Sequence, residues 1–354
     1  MLQESPLPGP ALLRGRRFVQ YALSAALTVL FLWIAFRGTD VGRLLALVRG
    51  ANYMWILAYF ACLMASHVVR SWRWGYLLSP IRRGITFRNL FAGVMIGYMF
   101  NNVLPRAGEI ARPYAISRTE HLPVSSALGT IVVERIIDTF SFLVLVALLP
   151  LVYNGPLLES FPWLQSAGVI ITVVTGAGLV FLVALMLRRD WTDRFLLRPL
   201  GWMLPRGARL RVDAQVHAFL DGFLFLKEPS SFAVIAVSGV LVWVLYILMT
   251  YVALFAFGLG GLGMRAAVVL LTISSIGVAI PTPGSTGSYH AFTSQTLVRL
   301  YAVDPSVALG FATVTHAVGF IGVTLIGLYY FIRDRVKPVP GSDGAVSVKE
   351  GNAA

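Results

Sequence analysis

The chain has few of the residues on which disulfide-stabilised proteins and most metalloenzymes depend. Only 13% of its 354 residues are charged, and Cys62 is the single cysteine. A lone cysteine excludes an internal disulfide framework and a cysteine-ligated metal cluster. Catalytic and metal-binding spacings such as His-Glu-x-x-His or a nucleophile elbow are also absent from the sequence. We therefore predict no cofactor, no metal and no catalytic residue, which favours a protein that is not an enzyme but leaves an enzyme open.

Apolar residues take the place of the missing charges. They make up 57% of the sequence, and the mean hydropathy is +0.76. Such a composition is typical of an integral membrane protein. The formal net charge of +13 would suggest nucleic acid in a soluble protein, but here the basic residues flank apolar runs, where they orient the chain and contact anionic lipid. We thus expect membrane lipids, and no nucleic acid, as partners.

Eight long apolar runs divide the chain, and charge decides which of them cross a membrane. They lie near residues 18–36, 53–72, 87–104, 124–150, 165–187, 232–258, 266–281 and 306–332. If all crossed, the Arg-rich segment after the fifth run would lie outside, against the positive-inside rule. The conflict disappears if 87–104 enters from the cytoplasm and turns back at Pro105, and if 266–281 enters from the outer face and returns through 288–302. The sequence thus predicts an all-α, polytopic membrane protein with six full spans plus two oppositely entering re-entrant helical hairpins.

The hairpins fall at corresponding places in the two halves of the chain, which predicts an inverted repeat. Repeat one covers about 18–150 and repeat two about 165–335, within a single transmembrane domain at 18–337. Residues 1–17 are predicted to form a cytoplasmic N-terminal tail. Residues 338–354 are rich in Pro, Gly and Ser, so we expect a disordered tail that leaves the C-terminus in the cytoplasm as well.

Three polar segments outside the hairpins also carry expectations. Residues 190–231 read as cytoplasmic interfacial helices that join the halves. Arg37, Arg43 and Arg49 fall on the outer side of this topology, which suggests a short amphipathic helix at the interface. The segment from His67 to Trp74 alternates Trp and Arg, a pattern typical of an anchor at the level of the lipid headgroups.

The tip of the first hairpin combines helix breakers with arginines. Pro105 ends one half-helix and Gly108 permits the turn, so a helix over about 107–118 would present free amides at its start, where anions bind. The arginines nearby would contact a phosphate, and Glu109 would hold one of them while the site is empty. The alternative is a plain helix end with arginines that snorkel to the surface. The candidate substrate contacts here are Asn101, Asn102, Arg106, Gly108, Glu109 and Arg112.

The second hairpin turns through a run of small residues. Consecutive small residues permit a nest of backbone amides that binds phosphate oxygens, although the spacing is not that of a nucleotide-binding loop. His290 follows the turn and is a candidate proton carrier or phosphate donor. Its alternative is a polar residue with ordinary hydrogen bonds, and His316 in the last span reads as a packing hydrogen bond. The candidate substrate contacts here are Pro283, Gly284, Ser285, Thr286, Gly287 and His290.

Three charges interrupt the apolar run 124–150. Glu134, Arg135 and Asp138 lie on nearby faces of one helix, and charges at that depth face a polar interior or pair with one another. One interpretation is a structural ion pair that binds this helix to an arginine of the first hairpin. The other is a functional one, in which Arg135 contacts substrate and Glu109, Glu134, Asp138 and His290 provide charge compensation or proton coupling.

These motifs together resemble the lysylphosphatidylglycerol synthase transmembrane region family, whose members are also described as flippase-like membrane proteins. The resemblance rests on Asn101–Glu109 with Arg112, on Glu134-Arg135 with Asp138, and on the Pro-x-Pro-Gly loop at 281–284, and it covers about residues 20–335. It implies a polytopic plasma-membrane protein linked to movement of polar lipids between leaflets. Bifunctional members add a soluble C-terminal domain that aminoacylates phosphatidylglycerol. This chain ends soon after its last span, so we do not expect lipid aminoacylation.

The sequence therefore favours a flippase-like transporter of a bacterial inner membrane. It would move a polar anionic lipid, of the phospholipid or polyprenyl-phosphate type, between leaflets by alternating access. One alternative is a membrane-embedded lipid-modifying enzyme, either a phosphatase or a headgroup transferase. Another is an accessory subunit of an envelope-lipid synthase, which would be a protein partner. The lipid, the energy source and the oligomeric state are left open.

Overall fold

Helices account for the regular structure of the residues that the structure describes. The computed structural model describes residues 28–35, 41–153, 157–162 and 229–336, with isolated positions at 26, at 155 and between 166 and 222. Within these ranges every regular element is helical and no strand occurs. The predicted all-α fold is therefore confirmed. The tails at 1–17 and 338–354 and Arg37 lie outside the described residues, as do most of 165–187 and 190–231.

Eleven α-helices are defined in the described ranges. They are α1 (28–35), α2 (Val41–Gly50), α3 (Tyr53–Leu78), α4 (Phe87–Val103), α5 (Gly108–Glu120), α6 (Val124–Val152), α7 (Leu157–Ser160), α8 (Pro229–Ala256), α9 (Gly263–Ala279), α10 (Ser288–Tyr301) and α11 (Pro305–Val336). Short 3₁₀ turns at Gly260–Leu262 and Pro283–Ser285 precede α9 and α10. The predicted short helix that carries Arg43 and Arg49 is α2.

Five described segments are long and apolar enough to cross a bilayer, which takes about 20 residues. Four of them are α3, α6, α8 and α11, which match the predicted full spans 53–72, 124–150, 232–258 and 306–332. The fifth, Gly260–Ala279, contains α9, which the sequence assigns to the second hairpin. Length and composition thus establish an integral membrane protein, whereas the count of six full spans stays a prediction.

The chain breaks where the sequence predicts. Pro105 has no amide hydrogen for a helical bond, and Arg106 next to it adopts a left-handed φ of 62°, so α4 cannot continue. In the second half α9 ends at Ala279, and Ser285 has a φ of 57° before α10 starts. A non-glycine residue in the left-handed region is uncommon. Each hairpin turn contains one.

Contacts at the helix ends show how the two hairpins are oriented. The first hairpin is the pair α4 and α5, and the second is the pair α9 and α10. Nδ2 of Asn89 donates to Glu120 at 2.6 Å, so the start of α4 lies beside the end of α5, just before α6 begins. The hydroxyl of Tyr153 donates to the carbonyl of Leu300 at 3.3 Å, so the end of α10 lies beside the end of α6. Because α6 is a single helix, the two pairs open at its opposite ends. This supports the predicted opposite orientation of the two hairpins. That each hairpin enters the membrane and returns to the same face stays a prediction.

The tips of the two pairs meet inside the bundle. The space beside the α-carbon of Gly284, where a β-carbon would lie, is 3.2 Å from the carbonyl oxygen of Asn102. Nδ2 of Asn102 also donates to the hydroxyl of Thr324 on α11, at 2.8 Å. The end of α4, the second loop and α11 are therefore in contact.

Two large apolar cores lie in the bundle, and each includes a residue from both halves of the chain. The first joins α3, α4, α5 and α6 around Trp74, which is fully buried, with Met95, Ile116 and Ile131 among its members. The second joins α8, α9, α10 and α11 around Phe311 and also includes Tyr59 of α3, while Ile235 of α8 belongs to the first. The cores therefore join the two halves through α3 and α8, and the repeat stays a prediction.

Candidate functional site

Five charged side chains meet inside the first half of the bundle. They come from α3, α5 and α6, and each is at most 9% exposed. Residues three or four positions apart share a helix face, so the pair on α3 and the pair on α6 present matched rows of opposite charge. The five residues, called here the buried charge cluster, are Arg70, Arg73, Arg112, Glu134 and Asp138.

Arg70 and Arg73 bind α3 to α6. Nη1 of Arg70 lies 2.5 Å from Oε1 of Glu134 and 2.6 Å from Oδ2 of Asp138. Nη2 of Arg73 donates to the other oxygen of Asp138 at 2.8 Å. Nη2 of Arg70 also donates to the hydroxyl of Tyr246 on α8, at 3.2 Å, which ties the second half of the protein to the cluster.

Arg112 joins the first hairpin to the same carboxylate. Its Nη1 donates to Oε1 of Glu134 at 3.0 Å, and its Nη2 lies 3.0 Å from Oε2 without the alignment of a hydrogen bond. The guanidinium stacks over the ring of Trp74, 3.9 Å from its centroid. Trp74 is held in turn by a hydrogen bond from Nε1 to the hydroxyl of Thr130, at 2.9 Å. The predicted structural pairing of α6 with the first hairpin is therefore present.

The cluster carries one positive charge in excess. Arginine remains protonated in proteins, and a carboxylate that accepts bonds from guanidinium groups is held in its ionised form. Three arginines thus face two carboxylates. Several guanidinium nitrogens are buried without a hydrogen-bond partner among the described residues: Nε of Arg70, Nε and Nη1 of Arg73, and Nε and Nη2 of Arg112. Buried donors of this kind normally have a partner, so the site is suited to an anion.

His67 lies next to the cluster, one turn before Arg70 on α3. It is 2% exposed, and neither ring nitrogen has a hydrogen-bond partner in the part of the chain that the structure describes. Its ring lies 4.4 Å from that of Tyr98 on α4, between centroids. The predicted role of this segment as a headgroup-level anchor is wrong for His67, Arg70 and Arg73, because all three are buried inside the bundle.

Arg135 and Glu109 form the exposed edge of the site. Nε of Arg135 lies 3.8 Å from Oε1 of Glu109, and Nη1 lies 3.9 Å from Oδ2 of Asp138. The side chains of Arg135 and Glu109 are 44% and 41% exposed, so the pair is loose and lies at the surface of the bundle. Glu109 thus holds an arginine, as predicted, but from α6 and not from its own hairpin. Arg106 is exposed, and its guanidinium has no ionic partner among the described residues.

The start of α5 is already satisfied within the chain. Oδ1 of Asn101 accepts from the amide of Gly108 at 2.8 Å, and the amide of Glu109 donates to the carbonyl of Arg106 at 3.2 Å. These amides are therefore engaged, and the guanidinium groups, not the helix terminus, offer the unused donors. The other predicted residue of this tip, Asn102, contacts α11.

The second loop forms a separate polar group. The amide of Thr286 donates to the carbonyl of Pro283 at 3.0 Å, and the amide of Gly287 donates to Nδ1 of His290 at 3.4 Å. Nε2 of His316 donates to the carbonyl of Gly284 at 2.8 Å, the packing hydrogen bond predicted for this residue. No hydrogen bond or ion pair of the cluster residues reaches this loop, so the structure does not bring His290 to the charges.

Sequence reasoning missed Arg70, Arg73 and His67 as members of the site. The available signal was the spacing: Glu134 and Asp138 lie four apart in an apolar helix and need buried counter-charges. Arg70 and Arg73 lie three apart at the end of another apolar helix. Matching the two rows would have paired α3 with α6.

Fold and site together define an integral membrane protein with a buried, positively charged polar centre. The chain belongs to the lysylphosphatidylglycerol synthase transmembrane region family, whose family model matches residues 21–327. The resemblance predicted from the motifs is thereby confirmed.

Curated relatives are similar over most of the chain. A UPF0104 membrane protein of Methanocaldococcus jannaschii is 24% identical over 85% of this chain and 91% of its own length. Another, from Pyrococcus horikoshii, is 20% identical over 90% of this chain and 98% of its own. The glycosyltransferase AglD of Haloferax volcanii is 25% identical over 71% of this chain but only 46% of its own length. No solved structure matches the chain.

Proposed function

We propose that this protein moves a lipid with an anionic polar headgroup between the leaflets of a membrane. The observation that carries the proposal is the excess of arginine in the buried charge cluster, where guanidinium donors lie inside the bundle without partners among the described residues. Ionisable residues inside a membrane domain mark substrate pathways by default. The headgroup would bind at the cluster while the acyl chains remain in the bilayer.

The exposed pair of Arg135 and Glu109 is the proposed entrance. Ion pairs at exposed positions contribute only about 0–1 kcal/mol, so an incoming phosphate would displace Glu109 from Arg135 at little cost. Arg135 lies next to Glu134 on α6 and within 3.9 Å of Asp138. A headgroup bound to Arg135 would therefore be adjacent to the buried arginines.

Alternating access would come from the two helix pairs. They open at opposite ends of α6 and touch at their tips. Few polar bonds join the tips to α11, among them those of Asn102 with Thr324 and of His316 with Gly284. Movement of one pair against the other would expose the cluster first to one leaflet and then to the other. Glu109, Glu134 and Asp138 would compensate charge during the cycle.

The lipid setting is supported by the family description, which names a lipid synthase. We extend the proposal to a bacterial inner membrane with both termini in the cytoplasm, although the relatives named above are archaeal. The substrate would be an anionic phospholipid or polyprenyl phosphate, and these lipids would be the partners of the protein.

Proteoliposomes test the proposal directly. Fluorescent phosphatidylglycerol would be incorporated with the purified protein, and the outer-leaflet fraction would be measured by dithionite quenching, with recovered lipid weighed by mass spectrometry. We expect movement of unmodified lipid that is lost in Arg112→Ala and reduced in Arg135→Ala. Arg43→Ala is the matched control, because that arginine pairs with Asp304 far from the cluster along the chain. A changed lipid mass, or equal movement in empty vesicles, would contradict the proposal.

A further inference from the structure

We infer that, of the two substrate types proposed above, the site selects the phosphodiester headgroup of a phospholipid, with its single negative charge, over phosphate monoesters such as a polyprenyl phosphate, which carry about two. The inference rests on the proposed function and names its substrate class. It follows from the charges of the buried cluster, from the absence of partners for its inner donors, and from the neutrality of its exposed edge.

The number of charges is fixed by contacts. Each carboxylate of the cluster lies within 3.0 Å of at least one arginine nitrogen, so both are ionised. Arg135 and Glu109 at the edge cancel each other. One positive charge therefore remains inside the bundle, and among the described residues no further carboxylate contacts the cluster arginines to neutralise it.

An uncompensated charge away from water is unfavourable, and a bound ion of the opposite charge removes that cost. A phosphodiester brings one negative charge at neutral pH, which neutralises the site. A phosphate monoester brings about 1.5 to 2 negative charges at pH 7, so its binding would leave the site negative. A zwitterionic headgroup brings a cation together with its phosphate and leaves the excess in place.

The unused donors provide the matching hydrogen bonds. Nε and Nη1 of Arg73, both buried, have no partner in the described part of the chain, and the neutral ring of His67, whose nitrogens also lack partners there, offers one further N–H. A phosphodiester presents two unesterified oxygens, each able to accept from more than one donor. The site thus has enough unused donors for one phosphate group. It lacks the second unpaired positive charge that would neutralise a monoester.

A series of charge variants tests the inference. Wild type, Asp138→Asn and Arg73→Gln would carry an excess of one, two and zero positive charges in the cluster. Transport and binding by native mass spectrometry would be compared for phosphatidylglycerol, a phosphodiester, and phosphatidic acid, a monoester, with identical acyl chains. Asp304→Asn is the control, because this aspartate pairs with Arg43 at an exposed site.

We expect wild type and Asp304→Asn to prefer phosphatidylglycerol by about tenfold or more. A tenfold preference corresponds to about 1.4 kcal/mol of binding free energy. Asp138→Asn should shift that ratio toward phosphatidic acid, and Arg73→Gln should weaken binding of both lipids. Equal binding of the two lipids by wild type, or an unchanged ratio in Asp138→Asn, would overturn the inference. Selective binding without any transport would instead overturn the proposed function and leave the charge selection supported. Thermal unfolding of each variant confirms that it is folded.

Discussion

Nη1 and Nη2 of Arg112 each lie 3.0 Å from an oxygen of Glu134, so the second helix of the first hairpin is ion-paired to α6 inside the protein. The same carboxylate also contacts Arg70. An anion that competes with Glu134 for Arg112 would loosen the contact between the hairpin and α6. In the proposed cycle, binding of a headgroup and movement of the hairpin would thereby be coupled through one residue.

Glu134→Gln is expected to destabilise the protein strongly. The substitution keeps the shape of the side chain but removes the charge that faces the three cluster arginines. Removing one partner of a buried ion pair costs about 3–5 kcal/mol. The midpoint of thermal unfolding in detergent should therefore fall by many degrees.

The matched control is Glu120→Gln. Glu120 pairs with Arg82, which is 45% exposed, and a glutamine oxygen can still accept from Asn89. Glu120 is itself buried, but its charged partner reaches the surface and its hydrogen bond is kept, so this midpoint should fall much less than that of Glu134→Gln. Equal shifts in the two variants would contradict a structural role for the cluster.

Gly108→Ala is expected to force α4 and α5 apart. A β-carbon at Gly108 would overlap the backbone carbonyl of Gly97, and backbone cannot move aside as a side chain can. Overpacking of this kind costs about 1–3 kcal/mol. Because Arg112 follows one turn later, we also expect slower lipid movement in proteoliposomes. Gly261→Ala is the control, since nothing lies within 4 Å of its β-carbon position.

His316→Ala is expected to release the second loop. The imidazole donates to the carbonyl of Gly284, and loss of such a bond costs about 0.5–1.5 kcal/mol. Amide hydrogen exchange over residues 282–288 should become faster, while exchange in α3 stays unchanged. Unaltered exchange in the loop would show that this bond does not hold it.

The breaks in the helices were predictable because their causes are local. Proline removes a backbone donor wherever it occurs, so the sequence predicts the end of α4 near Pro105. The observed α5, Gly108–Glu120, and α10, Ser288–Tyr301, lie within two residues of the predicted 107–118 and 288–302. The short helix α2 follows from its charge pattern in the same way.

The buried charge cluster was only half predictable. Glu134 and Asp138 stand out as charges in an apolar run, but their partners come from α3, which is distant in sequence. The Trp-Arg alternation around Arg73 has the composition of an interfacial anchor, and composition does not reveal depth. Arg70 and Arg73 are buried because the side of α3 that carries them faces the carboxylates of α6, a contact that the sequence of α3 alone does not show.

Cysteine labelling would decide the topology. Cys62, the only cysteine of the chain, is replaced by serine, and single cysteines are introduced at Arg83, His121, Gly261 and Ala302, all exposed. The first two flank the first hairpin and the last two flank the second. A membrane-impermeant maleimide would then be applied to intact spheroplasts and to inverted vesicles. If the hairpins are re-entrant, the members of each pair are labelled from the same face and the two pairs from opposite faces.

The orientation follows from which pair reacts in which preparation. The positive-inside rule predicts that Arg83→Cys and His121→Cys react only in inverted vesicles, because they lie beside Arg82 and Arg118. Gly261→Cys and Ala302→Cys should react in spheroplasts. Labelling of His121→Cys from the outer face would mean that α4 crosses the bilayer alone, and the first hairpin would then not be re-entrant. Alternating access through paired re-entrant hairpins would then be excluded.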